Sequence, residues 1–140
     1  MKFTTATLSA AMLGFASFVQ GITIQSPTAG TVLTAGSTVS VRIFAPLVQP
    51  GSVEASVVIS LLSGAVKPTT SDVGTVLYDG KFNPTFHIQG SGPAGSQLYD
   101  TISVKIPANV TGTAQLNVVQ PTVNEHAVVF TTDSVQVTVS

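Results

Sequence analysis

Thr38-Val39-Ser40-Val41-Arg42-Ile43 decides the fold class, because its apolar side chains recur at every second position. That period puts Val39, Val41 and Ile43 on one face of an extended strand and Thr38, Ser40 and Arg42 on the other. The same pattern spreads outward in both directions. Ile22 and Ile24 alternate with Thr23 and Gln25 before Ser26-Pro27, and Gly30 marks the turn that follows. Downstream, Val57, Ile59 and Leu61 share one face while Val58 and Leu62 add apolar groups to the other, as in a central strand covered on both sides. Ile102, Val104 and Ile106 form another alternating set, ended by Pro107, and Ala114, Leu116 and Val118 a third, before Pro121. In the final run, 127–139, the apolar phase changes between Phe130 and Val135, which predicts a bulge or two strand pieces meeting near Thr131 to Asp133.

After Gly21 no stretch carries a helical period, and Gly, Pro, Ser and Thr punctuate the runs at the spacing of a β-sandwich. The expected architecture is all-β: an immunoglobulin-like or fibronectin-III-like sandwich of two antiparallel sheets with about seven strands. There is no Cys and no Trp, so the disulfide and central Trp of antibody domains are missing and stability must come from apolar burial.

Only 8% of the 140 residues are charged and the formal net charge is −1, with no basic patch to neutralise phosphates, which argues against nucleic-acid binding. Residues 1–21 open with Lys2, continue through small and apolar side chains and end at Gly21 with Val19 before the cleavage point. This is the anatomy of a secretory signal peptide, too short and too interrupted for a membrane span. The expected product is one secreted, extracellular domain, 22–140, carrying four basic and six acidic side chains. Asn109-Val110-Thr111 is an N-glycosylation sequon just after Pro107, so Asn109 is expected on the surface and glycosylated; Asn83-Pro84-Thr85 is excluded by its proline.

Catalytic chemistry finds no frame. Gly90-Ser91-Gly92 lies in a stretch that composition marks as a mobile loop, without the strained elbow a nucleophilic Ser needs. His87 and His126 could converge with Asp79, Asp100 or Glu125, but no pair has ligand spacing, so neither a metal nor another cofactor is expected. The acidic residues Glu54, Asp72, Asp79, Asp100, Glu125 and Asp133 select no facing pair; Asp79 reads as a turn residue beside Gly80, Asp72 and Asp133 as solvated loop positions. The chain is accordingly expected not to be an enzyme.

What distinguishes the chain is Gly74 to Ile88, GTVLYDGKFNPTFHI, which gathers aromatics and charges that are scarce elsewhere. Val73 to Tyr78 predicts a short strand, Asp79-Gly80 a tight turn and Asn83-Pro84 a stiffened return. Core filling is expected for Phe44 and Phe130, whereas Tyr78, Phe82, Phe86 and Tyr99 cannot all point inward. Tyr78, Asp79, Lys81, Phe82, Asn83, Phe86 and His87 are therefore expected to form a contact surface for a protein or a sugar.

Two resemblances attach to definite residues. Ile22-Thr23-Ile24-Gln25-Ser26-Pro27, Gly30-Thr31, Ala35-Gly36-Ser37 and Val39 to Phe44 resemble the amino-terminal Ig-like domain of fungal cell-wall glucan-assembly proteins, without their tryptophans and Ser/Thr-rich tail. Gly74 to Gly80, Val104-Lys105-Ile106-Pro107-Ala108, Gly112-Thr113-Ala114-Gln115-Leu116 and the closing strand resemble small secreted fungal proteins that include the necrosis-inducing effector family. The second resemblance implies non-enzymatic binding to a host or cell-surface protein such as a plant immune receptor kinase. The first implies the alternative, a cell-wall-associated structural or β-glucan-binding module.

Overall fold

The alternation of Thr38–Phe44 is realised as β3, with Val41 and Ile43 fully buried on one side and Thr38 and Ser40 exposed on the other. A computed structural model describes residues 21–45, 55–65, 69, 72–88, 96–123 and 128–140, and the statements below concern these residues. They contain nine strands: β1 (Thr23–Ser26), β2 (Val32–Leu33), β3, β4 (Ala55–Ser63), β5 (Thr75–Phe82), β6 (Thr85–Ile88), β7 (Ser96–Lys105), β8 (Gly112–Val123) and β9 (Val128–Val139). The Gly90 to Gly95 loop, Glu54, Glu125, His126 and the segment 1–20 fall outside them. No helix of the described residues is long and apolar enough to cross a membrane.

Two sheets face one another. One has the order β1-β3-β7-β6, the other β2-β9-β8-β4-β5. The first is the ABED order of an immunoglobulin domain; the second is its GFC order, extended by β2 beside β9 and by β5 beside β4. The chain is therefore an Ig-like β-sandwich. Its first strand is divided between the sheets: after β1 the backbone passes Pro27 and turns at Thr28–Thr31, and β2 then runs parallel to β9, the one parallel pairing among the described strands.

The core lies between the sheets. Val57, Ile59 and Leu61 of β4, Leu116 and Val118 of β8, and Val137 and Val139 of β9 pack against Ile24, Val41, Ile43, Ile102, Val104 and Ile106. Removing apolar surface from water at about 25 cal/mol per Å² is what holds a disulfide-free domain of this size together. β4 is central between β8 and β5, as its two apolar faces require.

Three expectations about the closing strands are corrected. β9 is one continuous strand in unbroken register with β8, from Gly112–Val139 to Val123–Val128, with no bulge near Thr131 to Asp133. The apolar phase changes because Val135, Val137 and Val139 face the core, whereas Val128 and Phe130 sit on the opposite face and are exposed. Asp133 is accordingly no solvated loop residue: it occupies a core-side position where β1 crosses, and its Oδ2 accepts the Ile24 N–H at 2.7 Å, tying the two sheets together. Pro121 does not end β8. Pairing with β4 stops at Val119, so Pro121 lies where β9 is the only neighbour and its missing N–H costs the sheet little.

Gly74 has a structural duty. Its φ of 82° is in the left-handed region, and a Cβ there would collide with the Leu61 carbonyl and Leu62 Cα of β4. This close approach lays Val73 over the outer side of the five-stranded sheet, where Ser60 and Asn117 are fully buried and Asn117 Nδ2 donates to the Gln115 carbonyl at 3.3 Å.

Candidate functional site

The stretch 74–88 divides between the two sheets. β5 is the edge of the five-stranded sheet and β6 the edge of the four-stranded one, so the chain crosses the open side of the sandwich between Phe82 and Thr85. The crossing corner is Asn83-Pro84. Asp79-Gly80, expected to turn, instead lies in the middle of β5, where Asp79 pairs with Val58 and Gly80 with Val57. Pairing with β4, unbroken from Tyr78 to Phe82 after a register shift at Leu77, outweighs the local turn preference of Asp-Gly. Gly80 is needed for space: the Tyr78 ring folds over it, a Cβ would come within 2.8 Å of Tyr78 Oη, and that hydroxyl donates to the Lys81 carbonyl at 2.7 Å.

The seven expected contact residues are thus not one surface. Phe82 is buried, 3% exposed, on the core side of β5 opposite Ala55, so it leaves the contact set. Tyr78 is half-buried against the core. Asp79 and Lys81 are exposed, but on the outer side of the five-stranded sheet. Asn83 is exposed, and its N–H is held at 3.0 Å by Asp100 Oδ2, while Asp100 Oδ1 accepts the Thr101 N–H at 2.8 Å. One carboxylate therefore fixes the corner to β7.

Phe86 and His87 remain, and the structure adds partners to them. Phe86 is 63% exposed and Ile88 75%, on the side of β6 that pairs with Leu98, beyond the reach of the opposite sheet. On the outer face, the His87 ring stacks on Tyr99 with centroids 3.7 Å apart and planes 9° from parallel, and His87 Nε2 shares a 3.0 Å hydrogen bond with Thr85 Oγ1. From the strand on the other side of β7, the Arg42 guanidinium carbon lies 4.5 Å from the Tyr99 ring centre. Arg42, Tyr99 and His87 make a cation–aromatic–imidazole stack across three strands. Arg42 Nε is buried and has no hydrogen-bond partner.

Arg42 and Tyr99 were missed as site residues, although each carried a signal. Arg42 is the only arginine of the chain and falls on the wet face of β3. Tyr99 could not be paired with His87 without knowing the β6–β7 register, which follows the stretch 89–95.

Charge is segregated between the faces. By alternation and register, the outer side of the four-stranded sheet carries Ser40, Arg42 and Phe44 from β3, Gln97, Tyr99, Thr101, Ser103 and Lys105 from β7, and Thr85 and His87 from β6. No described carboxylate is on that side. Asp100 and Asp133 are on core-side positions, Asp79 is on the outer side of the other sheet, and Asp72 is in the loop before β5, its Oδ1 accepting the Gly74 N–H.

A concavity of about 580 Å³ opens between β1 and β9 and is lined by Gly21, Ile22, Thr23, Phe44, Phe130, Thr131 and Thr132. It corrects the expected core roles of Phe44 and Phe130. Phe44 is half-buried on the outer side of β3, and Phe130 is 65% exposed. Among the described residues no three His, Cys, Asp or Glu side chains are grouped to hold a metal ion. Asn109 is exposed in the turn that joins β7 to β8.

No family model matches the chain, and no curated protein does. Among solved structures it is similar to the cellulose-active LPMO CelS2 in complex with copper, at 21% identity and a TM-score of 0.45. The alignment covers 78% of this chain and 52% of that one, so the chain spans about half the length of CelS2. A likeness that slight carries neither fold nor chemistry from one to the other.

Proposed function

We propose that the protein is a secreted, non-enzymatic binding module that docks an extracellular protein along β6 and the adjoining outer face of the four-stranded sheet. One observation carries this reading: β6, an edge strand among the described residues, bears two exposed apolar side chains, Phe86 and Ile88, on one side and His87 of the Arg42–Tyr99–His87 stack on the other, so both sides of the edge offer contact groups. Exposed aliphatic and aromatic groups, and Arg and Tyr, are the residue types enriched in interface cores. β6 is only four residues long and, among the described residues, joins its sheet through β7 alone, an edge to which a partner's main chain could add as well as its side chains. The partner class, a host or cell-surface protein, is the one that the effector resemblance implies.

Asn109 fits the same reading. It follows Lys105, at the far end of β7 from Tyr99, about 20 Å along the strand at about 3.3 Å per residue. A glycan there would leave the β6 edge clear. The test is capture of extracellular proteins by the purified glycoprotein, compared with the Phe86→Ser/Ile88→Ser variant. Retention of a partner by the native protein and its loss from the variant is the expected result; equal retention moves the interface off β6.

A further inference from the structure

We infer that the outer face of the four-stranded sheet receives an acidic segment of the partner, with a side-chain carboxylate seated on the Arg42 guanidinium. The inference rests on the docking surface proposed above and names the chemistry it reads. A planar guanidinium offers a fork of N–H donors that matches a carboxylate in two parallel bonds. Arg42 is held for that purpose: Tyr99 lies against its plane at 4.5 Å, and Tyr99 is in turn backed by His87 at 3.7 Å. A side chain ordered in advance loses less freedom on binding.

Its charge is unanswered from within the face. Every described carboxylate lies elsewhere, whereas Arg42, Lys105 and His87 share the outer side. A face that carries Arg42 and Lys105 and none of the described carboxylates presents a local positive field, which steers acidic partners and repels basic ones.

The experiment is a two-dimensional NMR titration of the purified, isotope-labelled protein, following the Arg42 Nε–H and Tyr99 ring signals. The probes are a synthetic Glu-Gly repeat decapeptide, the matching Gln-Gly peptide, inorganic phosphate and polygalacturonate. Saturable movement of both signals with the Glu peptide and none with the Gln peptide is expected, with Kd rising at least about tenfold on Arg42→Gln and again on raising salt from about 0.05 to about 0.3 M. Arg42→Lys should fall between, since it keeps the charge and loses the fork. Equal response to the Gln peptide, or none to either, overturns the inference; that comparison needs no variant and survives a misfolded Arg42→Gln. Tighter saturation by polygalacturonate or by phosphate also overturns it, assigning the site to a polyanionic sugar or a phosphate group. If the native protein still captures a partner through Phe86 and Ile88 while the Glu peptide does nothing, the docking edge stands and its acidic partner is wrong.

Discussion

β5 and β6 come from one continuous stretch, yet Phe82 is 3% exposed and Phe86, four residues later, 63%. The two phenylalanines differ because the chain changes sheets at Asn83-Pro84. In β5 the core-side position of Phe82 is roofed by the opposite sheet, whereas β6 overhangs the edge and no described residue covers the equivalent side. Residue type alone therefore does not separate a packing residue from a contact residue in this segment; the corner between them does.

The sharpest way to break this contrast is to truncate each ring. Phe82→Ala should cost about 3–5 kcal/mol of stability in urea unfolding, and Phe86→Ala no more than about 0.5 kcal/mol. Comparable losses at both would mean that β6 is covered. Next in size is the corner itself: Asp100→Ala strands the Asn83 N–H and should cost about 1–2 kcal/mol, with faster hydrogen exchange at Asn83. Gly80→Ala should push Tyr78 off its hydrogen bond to the Lys81 carbonyl for about 1 kcal/mol, seen as a change in tyrosine fluorescence without a change in partner binding. His87→Ala should have a small effect on stability, about 0.5 kcal/mol from the lost stack on Tyr99, while weakening partner binding measurably. If it destabilises more than Asp100→Ala, the stack is structural and not part of the interface.

The fold was largely legible because the core strands obey a period of two, so Val41, Ile43, Val57, Ile59 and Leu116 declared their burial through their neighbours. The same rule failed where one side of a strand changes surroundings along its length. β9 keeps one register throughout, but its core side ends in Asp133 and Thr131, and Phe130 lands on the face open to solvent. Asp-Gly at 79–80 misled for a related reason: a turn dipeptide states a local preference, and pairing with β4 overrides it. As for the site, His87 and Phe86 could be named from an unusual segment, whereas their neighbours Arg42 and Tyr99 stand 45 and 12 positions from His87 in sequence and meet it only through the order β3-β7-β6. Long-range register of that kind leaves no trace in composition or spacing.

The claim that β6 is the docking edge is tested most directly by site-specific photocrosslinking, with benzoylphenylalanine placed at position 86 in one sample and at position 130, a second exposed phenylalanine among the described residues, in another. The account predicts a crosslinked extracellular protein from position 86 and none from position 130. An adduct formed only from position 130 would contradict it and move the interface to the β1–β9 cleft.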